Sequence, residues 1–581
     1  MSLYKGAQWL LMLAAVTLLV AWLLPIHFSP WAVAYQEFLV FFAGLLLVAA
    51  MLQAGQVKFS LALLGFFLLP VIPLLQLAFG VIYFAGDAWI ASVYLLGFAL
   101  MLQVGYSLAG RPESRDFFIR LLAVLFAIGA VLSTWIALRQ WLLLSGSAES
   151  TVWVADLPPG ARPFANLGQP NNLATLLCLG ISGVLYVYEK HLVGPLAAGL
   201  LASFLLFGVA LTQSRAPLLA SVAVIIFWGA KTYVYKPRLS MRGLLGWFGV
   251  YASYLFALEF FSKSGGGVVR LGSANERLII WSQLWQDIWL GPWWGYGWNQ
   301  VAVAQMQGAL NYSAPSISLN GHNLMLDLMV WNGPLVGGLI ILGIAVWLLR
   351  VGWFARSAES MFALLAAGFV LVHSIVEFPY EYAYLLFPLG LLLGVAAAER
   401  RQVLEFVVPR LLIGVVLSLC VGLFGWFWRE YQVVEQDHRL LRMELARVGQ
   451  LKAMQSAPDV VLLSQLREFI RFARTPPTSE MSASELEAMR KVVYRYPSIS
   501  GLLRYVLALG LNGETNAARE QLRLFHRLYG YGQRRHLPAM FELQEMQRQY
   551  PQVFGVPGTH DEEVGNKVEH DEVDGEEITS G

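Results

Sequence analysis

The sequence predicts an all-α polytopic membrane protein followed by a soluble α-helical domain, and three observations carry that expectation. The 581 residues are 57% hydrophobic and only 13% charged, with a mean hydropathy of +0.57. A soluble globular chain carries roughly 25% charged residues. The charge is also unevenly placed: residues 1–428 hold 37 Asp, Glu, Lys and Arg, and residues 429–581 hold 41. Finally, the apolar residues of the first part gather in runs near the roughly 20 residues that a helix needs to cross a ~30 Å bilayer core.

The apolar runs lie near 7–24, 38–54, 60–79, 89–109, 117–138, 172–188, 193–212, 216–234, 243–261, 333–350, 361–376, 382–398 and 411–428, giving about 13 transmembrane helices in a membrane domain over 1–428. The first run is long and leads straight into further spans, unlike a cleaved signal peptide. Orientation follows from Lys and Arg, which favour the cytoplasmic side. With the N-terminus inside, the inner segments carry Lys5, Lys58, Arg111, Arg115, Lys190, Lys231, Lys236, Arg238, Arg242, Arg350, Arg356, Arg400, Arg401 and Arg410. The outer loops carry only Arg139, Arg162, Arg215, Lys263, Arg270 and Arg277. Thirteen spans then place the C-terminal domain outside, which in a bacterium would be the periplasm.

Two outer loops are long, 139–171 and 262–321. The second contains Gly291-Pro-Trp-Trp-Gly-Tyr-Gly-Trp-Asn299, and its tryptophans suit headgroup depth, so a loop on the membrane surface is expected. Residues 322–331 read as a short interfacial helix before the next span. From residue 429 the pattern turns amphipathic. Residues 501–529, with Gly510-Leu-Asn-Gly-Glu514 between two apolar stretches, read as a helical hairpin, similar to one tetratricopeptide unit, although a single hairpin fits any α-helical domain as well. The soluble helical domain is set at 429–557. Residues 558–581 hold nine acidic residues and one lysine and read as a disordered tail.

The net charge of +2 says nothing for a nucleic-acid partner, because no dense basic patch lies beside aromatics, and none is expected. Cys178 and Cys420 both sit in apolar runs and read as small buried hydrophobes. No metal-ligand spacing, nucleotide-type Gly-rich loop or nucleophile elbow is present, so neither a metal nor a cofactor is expected.

Polar residues within or beside spans are functional candidates, and here they form five blocks, all on the outer side. The first is Pro163-Phe-Ala-Asn-Leu-Gly-Gln-Pro-Asn-Asn172. A helix start with Asn171 or Asn172 as N-cap explains one asparagine, but not Gln169 and Asn166 as well. The second is Leu211-Thr-Gln-Ser-Arg-Ala216, and the third Asn275-Glu-Arg-Leu-Ile-Ile-Trp281. Arg215 and Arg277 are each explicable as interfacial charges, whereas two arginines on one face suit a diphosphate, because guanidinium is permanently charged and forked. The fourth block is Asn320-Gly-His-Asn-Leu-Met-Leu-Asp327. Its His322 is either structural or a general base for a hydroxyl. In the fifth, His373-Ser-Ile-Val-Glu-Phe-Pro-Tyr-Glu-Tyr-Ala-Tyr384, His373 and Glu377 lie four apart and are expected on one face of a helix. That pair closes the helix or joins the site. The substrate implied is anionic and delivered by the membrane.

In order and spacing these blocks resemble the bacterial O-antigen ligase/polymerase superfamily, and especially the PglL-type protein O-oligosaccharyltransferases. The motifs carrying the likeness are Asn166-Leu-Gly-Gln-Pro-Asn171, Leu211-Thr-Gln-Ser-Arg215, Glu276-Arg-Leu-Ile-Ile-Trp281, Gly295-Tyr-Gly-Trp298, Gly321-His-Asn-Leu324 and 373–384. The resemblance implies en bloc transfer of a preassembled glycan from undecaprenyl diphosphate to Ser or Thr hydroxyls of periplasmic or exported proteins such as pilins. It assigns catalytic roles to His322, Gln169 and Tyr382, with Tyr384 as the neighbouring candidate. It makes Arg215 and Arg277 the diphosphate ligands, with Asn171, Glu377 and His373 on the substrate-binding side. Tyr380 stands where the family pattern leads one to expect an aliphatic residue. One-step attack would invert the anomeric centre. The alternatives are an O-antigen ligase or polymerase using the same donor, a transporter for lipid-linked glycan, and a non-catalytic membrane scaffold. A transporter should carry paired polar breaks near the midplane, and the blocks here lie at one face.

Overall fold

The computed structural model describes residues 2–144, 153–158, 160–261, 266–312, 317–399, 404–446, 448, 456–529 and 537–554. The acidic tail expected over 558–581 lies outside them. The described helices are α1 (Ser2–Leu23), α2 (Ala34–Ala54), α3 (Leu64–Leu68), α4 (Val71–Ala78), α5 (Ala85–Ala109), α6 (Pro112–Trp141), α7 (Pro170–Glu189) and α8 (Pro195–Thr212). They continue with α9 (Ala216–Lys231), α10 (Met241–Phe261), α11 (Gly266–Leu290), α12 (Val301–Gly308), α13 (Leu324–Phe354), α14 (Ala358–Val376), α15 (Ala383–Ala397) and α16 (Arg410–Leu445). Six smaller helices close the chain: α17 (Ser464–Arg474), α18 (Ala483–Arg495), α19 (Ile499–Leu511), α20 (Thr515–Tyr529), α21 (Leu537–Gln549) and α22 (Pro551–Phe554).

Twelve of the thirteen apolar runs each fall largely on a single helix, whereas the run at 60–79 is broken into a 3-10 turn (Leu61–Leu63), α3 and α4. Among the described residues, 11 helical stretches are long and apolar enough to cross a membrane, whereas α9 and α15 are shorter apolar helices. Helices starting at proline recur (α6, α7, α8), where a missing N–H costs nothing. α5 and α15 pack at backbone contact. A Cβ on Gly105 would lie 2.2 Å from the Leu391 carbonyl oxygen, and one on Gly394 would lie 2.1 Å from that of Leu102. Trp22, Phe126, Tyr186 and Tyr384 fill the interior of the bundle.

Several features depart from the expectation. The stretch 262–321 is not simply a surface loop, because it contains α11 and α12. Its aromatic block is divided: Trp293 and Trp294 are exposed, while Tyr296 and Trp298 are buried. The block docks on α13, where Tyr296 N–H donates to Val330 O (2.9 Å) and Gly297 N–H to Trp331 O (3.0 Å). This is possible because α13 breaks at Gly333 (φ 73°) before Pro334. A Cβ at Gly333 would sit 1.9 Å from the Trp293 carbonyl oxygen, so only glycine lets the two backbones meet. The short helix expected over 322–331 is thus the first arm of α13. A two-stranded antiparallel ribbon, β1 (Val57–Ser60) with β2 (Glu405–Val408), joins two distant links with Val57 opposite Val408. Cys178 is buried as expected, but Cys420 is only half-buried.

The chain forms two compact units, residues 1–476 with 488–497, and residues 477–487 with 498–581. In the first, the chain beyond the spans is bound tightly. Glu430 on α16 accepts N–H bonds from Val461, Leu462 and Leu463 ahead of α17. Arg495 makes a buried two-pronged pair with Asp87 (2.9 and 3.0 Å). In the second, α19 and α20 form the expected hairpin. Leu502, Leu503 and Val506 are buried in it, with Ala518 and Phe525 facing from α20, and Asn512 ties the turn to Thr478 and Met481.

Candidate active site

Four of the five polar blocks meet at Glu377, drawn from the start of α7, α11, the turn before α13 and the end of α14, while the block at 211–216 stands apart. Pro170 at the first helical position makes Gln169, not Asn171 or Asn172, the N-cap residue of α7. The two asparagines therefore sit in the first turn with their amides pointing across the bundle. Asn172 Nδ2 donates to the Tyr384 hydroxyl (2.8 Å) and Asn171 Nδ2 to Glu377 Oε1 (2.5 Å). Asn166 is structural: its amide bonds Leu23 O (2.6 Å), Trp153 O (2.9 Å) and the Ala155 N–H (3.0 Å), locking the loop onto α1.

Glu377 is the hub. α14 ends at Val376, and Glu377 is in extended backbone conformation (φ −157°), which swings it away from the helix axis. Its carboxylate receives Asn171, the Arg277 guanidinium from α11, and His322 Nδ1 (2.8 Å). The expected shared face with His373 is not formed, because the helix does not continue through both residues. His373 Nδ1 instead pairs with Thr175 Oγ1 at 2.6 Å. Its Nε2 is buried with no hydrogen-bond partner among the described residues.

His322 occupies a left-handed conformation (φ 52°), an uncommon state for a side-chain-bearing residue and one often found at functional sites. The turn is held on both sides. Gly321 N–H donates to Asp327 Oδ1 (2.8 Å), Trp281 Nε1 donates to Gly321 O (2.8 Å), and the Tyr380 hydroxyl binds the same aspartate. Tyr380, the residue out of line with the family pattern, thus clamps the histidine turn to the 377–382 loop. Phe378 lies edge-on to His322 (centroids 4.8 Å) and parallel to Tyr382 (6.0 Å), which leans on Tyr384 (5.1 Å). Tyr382 therefore reaches the histidine through one ring.

Two further candidates stand apart from the hub. Gln169 has a buried side-chain oxygen with no hydrogen-bond partner among the described residues. Arg215, the N-cap residue of α9, is exposed, and among the described residues no hydrogen bond or ion pair ties it to Glu377. Its loop is set by Arg162, which donates to Thr212 O (3.4 Å) and Gln213 O (3.3 Å). Among the described residues no group of three or more His, Cys, Asp or Glu is placed to hold a metal ion. Asp327, Phe378 and Thr175 were not singled out from sequence, and Tyr380 was noted only as a departure from the family pattern. Asp327 carried a signal, an acid five residues beyond a histidine in an apolar run.

Burial pushes the Glu377 carboxyl up, but the His322 hydrogen bond and the Arg277 charge outweigh it and hold the group below its ordinary 4.5. An ionised Glu377 accepts the Nδ1 proton of His322 and leaves the lone pair on Nε2. Glu381, half-buried, is pushed up to about 8 by desolvation and by nearby Asp327, against the opposing pull of Arg495. Because the folded value for Glu377 is depressed, its stabilisation is complete above the ordinary carboxylate value and fades as pH falls through the folded one. Thermal melts of the wild type and Glu377→Gln are therefore expected to differ most near neutrality and converge in acid. A gap that widens in acid would contradict this charge assignment.

A bundle of membrane-length helices with a histidine, a carboxylate and an arginine at one end agrees with what the sequence matches. Residues 200–342 match the O-antigen ligase family, and residues 361–539 match the family described as virulence factor membrane-bound polymerase, C-terminal. The chain belongs to the PglL-type O-oligosaccharyltransferases, membrane glycosyltransferases of protein O-glycosylation. It is 30% identical over 535 residues to the general O-oligosaccharyltransferase of Acinetobacter baylyi, covering 90% of this chain and 92% of that relative. It is also 25% identical over 442 residues to the ComP-specific O-oligosaccharyltransferase of the same organism, covering 74% of this chain and 78% of that one.

Proposed function

We propose that the chain moves a preassembled oligosaccharide en bloc from undecaprenyl diphosphate to Ser or Thr hydroxyls of periplasmic or exported proteins such as pilins, at a site facing the periplasm from the inner membrane. The observation that carries this reading is the convergence of His322, Arg277 and Asn171 on Glu377. His322 Nε2 takes the proton of the acceptor hydroxyl as its oxygen attacks the anomeric carbon. The bond to the diphosphate oxygen breaks on the opposite face, which inverts that centre. The leaving diphosphate needs no proton, so the larger task is to stabilise its growing charge with Arg277 and with the exposed Arg215. Gln169 and Tyr382 line the acceptor side, while His373 supports α7 through Thr175.

Arg277→Lys is expected to weaken binding of the lipid-linked donor about tenfold, because a point charge replaces a planar fork. Unchanged donor affinity would reduce Arg277 to a loop charge. Co-expression with a lipid-linked glycan and a pilin tests the acceptor. Glycan on the pilin supports the reading, and glycan on lipid A core instead would overturn it.

A further inference from the structure

Glu37 is an acid in the first turn of α2, only 1% exposed, that borders the candidate site but has no part in the reaction as described above. One of its oxygens is occupied: Oε2 accepts the Tyr94 hydroxyl (2.8 Å) and the Ala383 N–H (2.8 Å) at the start of α15. The other, Oε1, is buried with no hydrogen-bond partner among the described residues. A buried carboxylate oxygen without a donor is costly, and a ligand carrying N–H removes that cost.

Glu37 also lines one end of a cavity of about 130 Å³ between α2, α5, Phe387 of α15 and α16. Apart from Tyr94, Trp31 and Cys420, its other lining residues are aliphatic side chains, phenylalanines and glycine, of which Phe41, Val48, Met101 and Leu417 are typical. The cavity follows α2 from Glu37 to Val48, a rise of about 16 Å at 1.5 Å per residue. That is close to half of a ~30 Å bilayer core. Its length therefore suits one acyl chain of one leaflet, whereas a polyprenyl chain is far longer.

We propose that this cavity is a binding site for a membrane phospholipid with a primary ammonium headgroup, of the phosphatidylethanolamine class. One acyl chain fills the apolar slot in the leaflet on the candidate-site side, and the ammonium donates N–H to Glu37 Oε1. The lipid completes the buried carboxylate and, through the Ala383 N–H, braces the end of the 377–382 loop.

The test uses the full chain in bilayer discs of phosphatidylcholine alone, or mixed equally with phosphatidylethanolamine or phosphatidylglycerol, with retained lipid read by native mass spectrometry. Choline carries no N–H, so retention of phosphatidylethanolamine is expected to exceed that of phosphatidylcholine about tenfold, the scale of one charge-assisted hydrogen bond. Glu37→Gln is expected to abolish the preference. Cys420→Trp fills the slot from α16, leaves Glu37 and its partners in place, and is expected to abolish retention. Equal retention of both lipids, equal retention of phosphatidylglycerol, or a preference surviving both substitutions would overturn the assignment.

Discussion

Replacing His322 by alanine is expected to abolish glycan transfer while leaving a folded, membrane-inserted protein. Among the described residues the imidazole is hydrogen-bonded through Nδ1, to Glu377 at 2.8 Å, which leaves Nε2 for a hydroxyl. Removing a general base costs typically 10²–10⁴-fold in rate. The fold should tolerate the change, because the turn is fixed by Gly321 and not by the imidazole. Asp327 binds its N–H and Trp281 its carbonyl, both at 2.8 Å. A well-expressed variant with near-normal transfer would remove His322 from the chemistry.

Glu377→Ala is expected to have the second-largest effect, a fall in turnover of about 10²-fold, consistent with losing the partner that orients a general base. Asn171, Arg277 and His322 all lose their acceptor at once. Glu377 is a positioning residue, so the readout must separate geometry from simple misfolding. Glu377→Gln keeps an oxygen that can accept the Nδ1 proton of His322 but removes the charge, so it is expected to recover part of the turnover that Glu377→Ala loses. Equal turnover of the two variants, both shown to be folded by their melts, would leave Glu377 a purely structural group.

The membrane architecture was legible because apolar runs of spanning length have few alternatives, and twelve of the thirteen each fall largely on a single helix. The ribbon between 57–60 and 405–408 was not legible, since four-residue strands far apart in sequence carry no usable period. α11 was missed because its charged residues break the apolar pattern that marked its neighbours. The site blocks stood out because polar residues are rare in residues 1–428. Which of them touch was harder to read. The i,i+4 rule pairs His373 with Glu377 only if the helix runs through both, and it ends at Val376. That termination hands Glu377 to His322 and Arg277, while His373, still within the helix, pairs with Thr175. Likewise Pro170 moves the N-cap to Gln169 and frees both asparagines for cross-bundle bonds.

The central claim is that one site, built on Glu377, transfers a whole lipid-linked glycan to a protein hydroxyl. It is tested most directly by intact-mass spectrometry of a purified pilin acceptor incubated with the reconstituted chain and an undecaprenyl-diphosphate oligosaccharide. The account expects the acceptor to gain the mass of the complete oligosaccharide on Ser or Thr with the wild type, and nothing with His322→Ala. An unmodified acceptor, stepwise addition of single sugars, or equal modification by both proteins would contradict it.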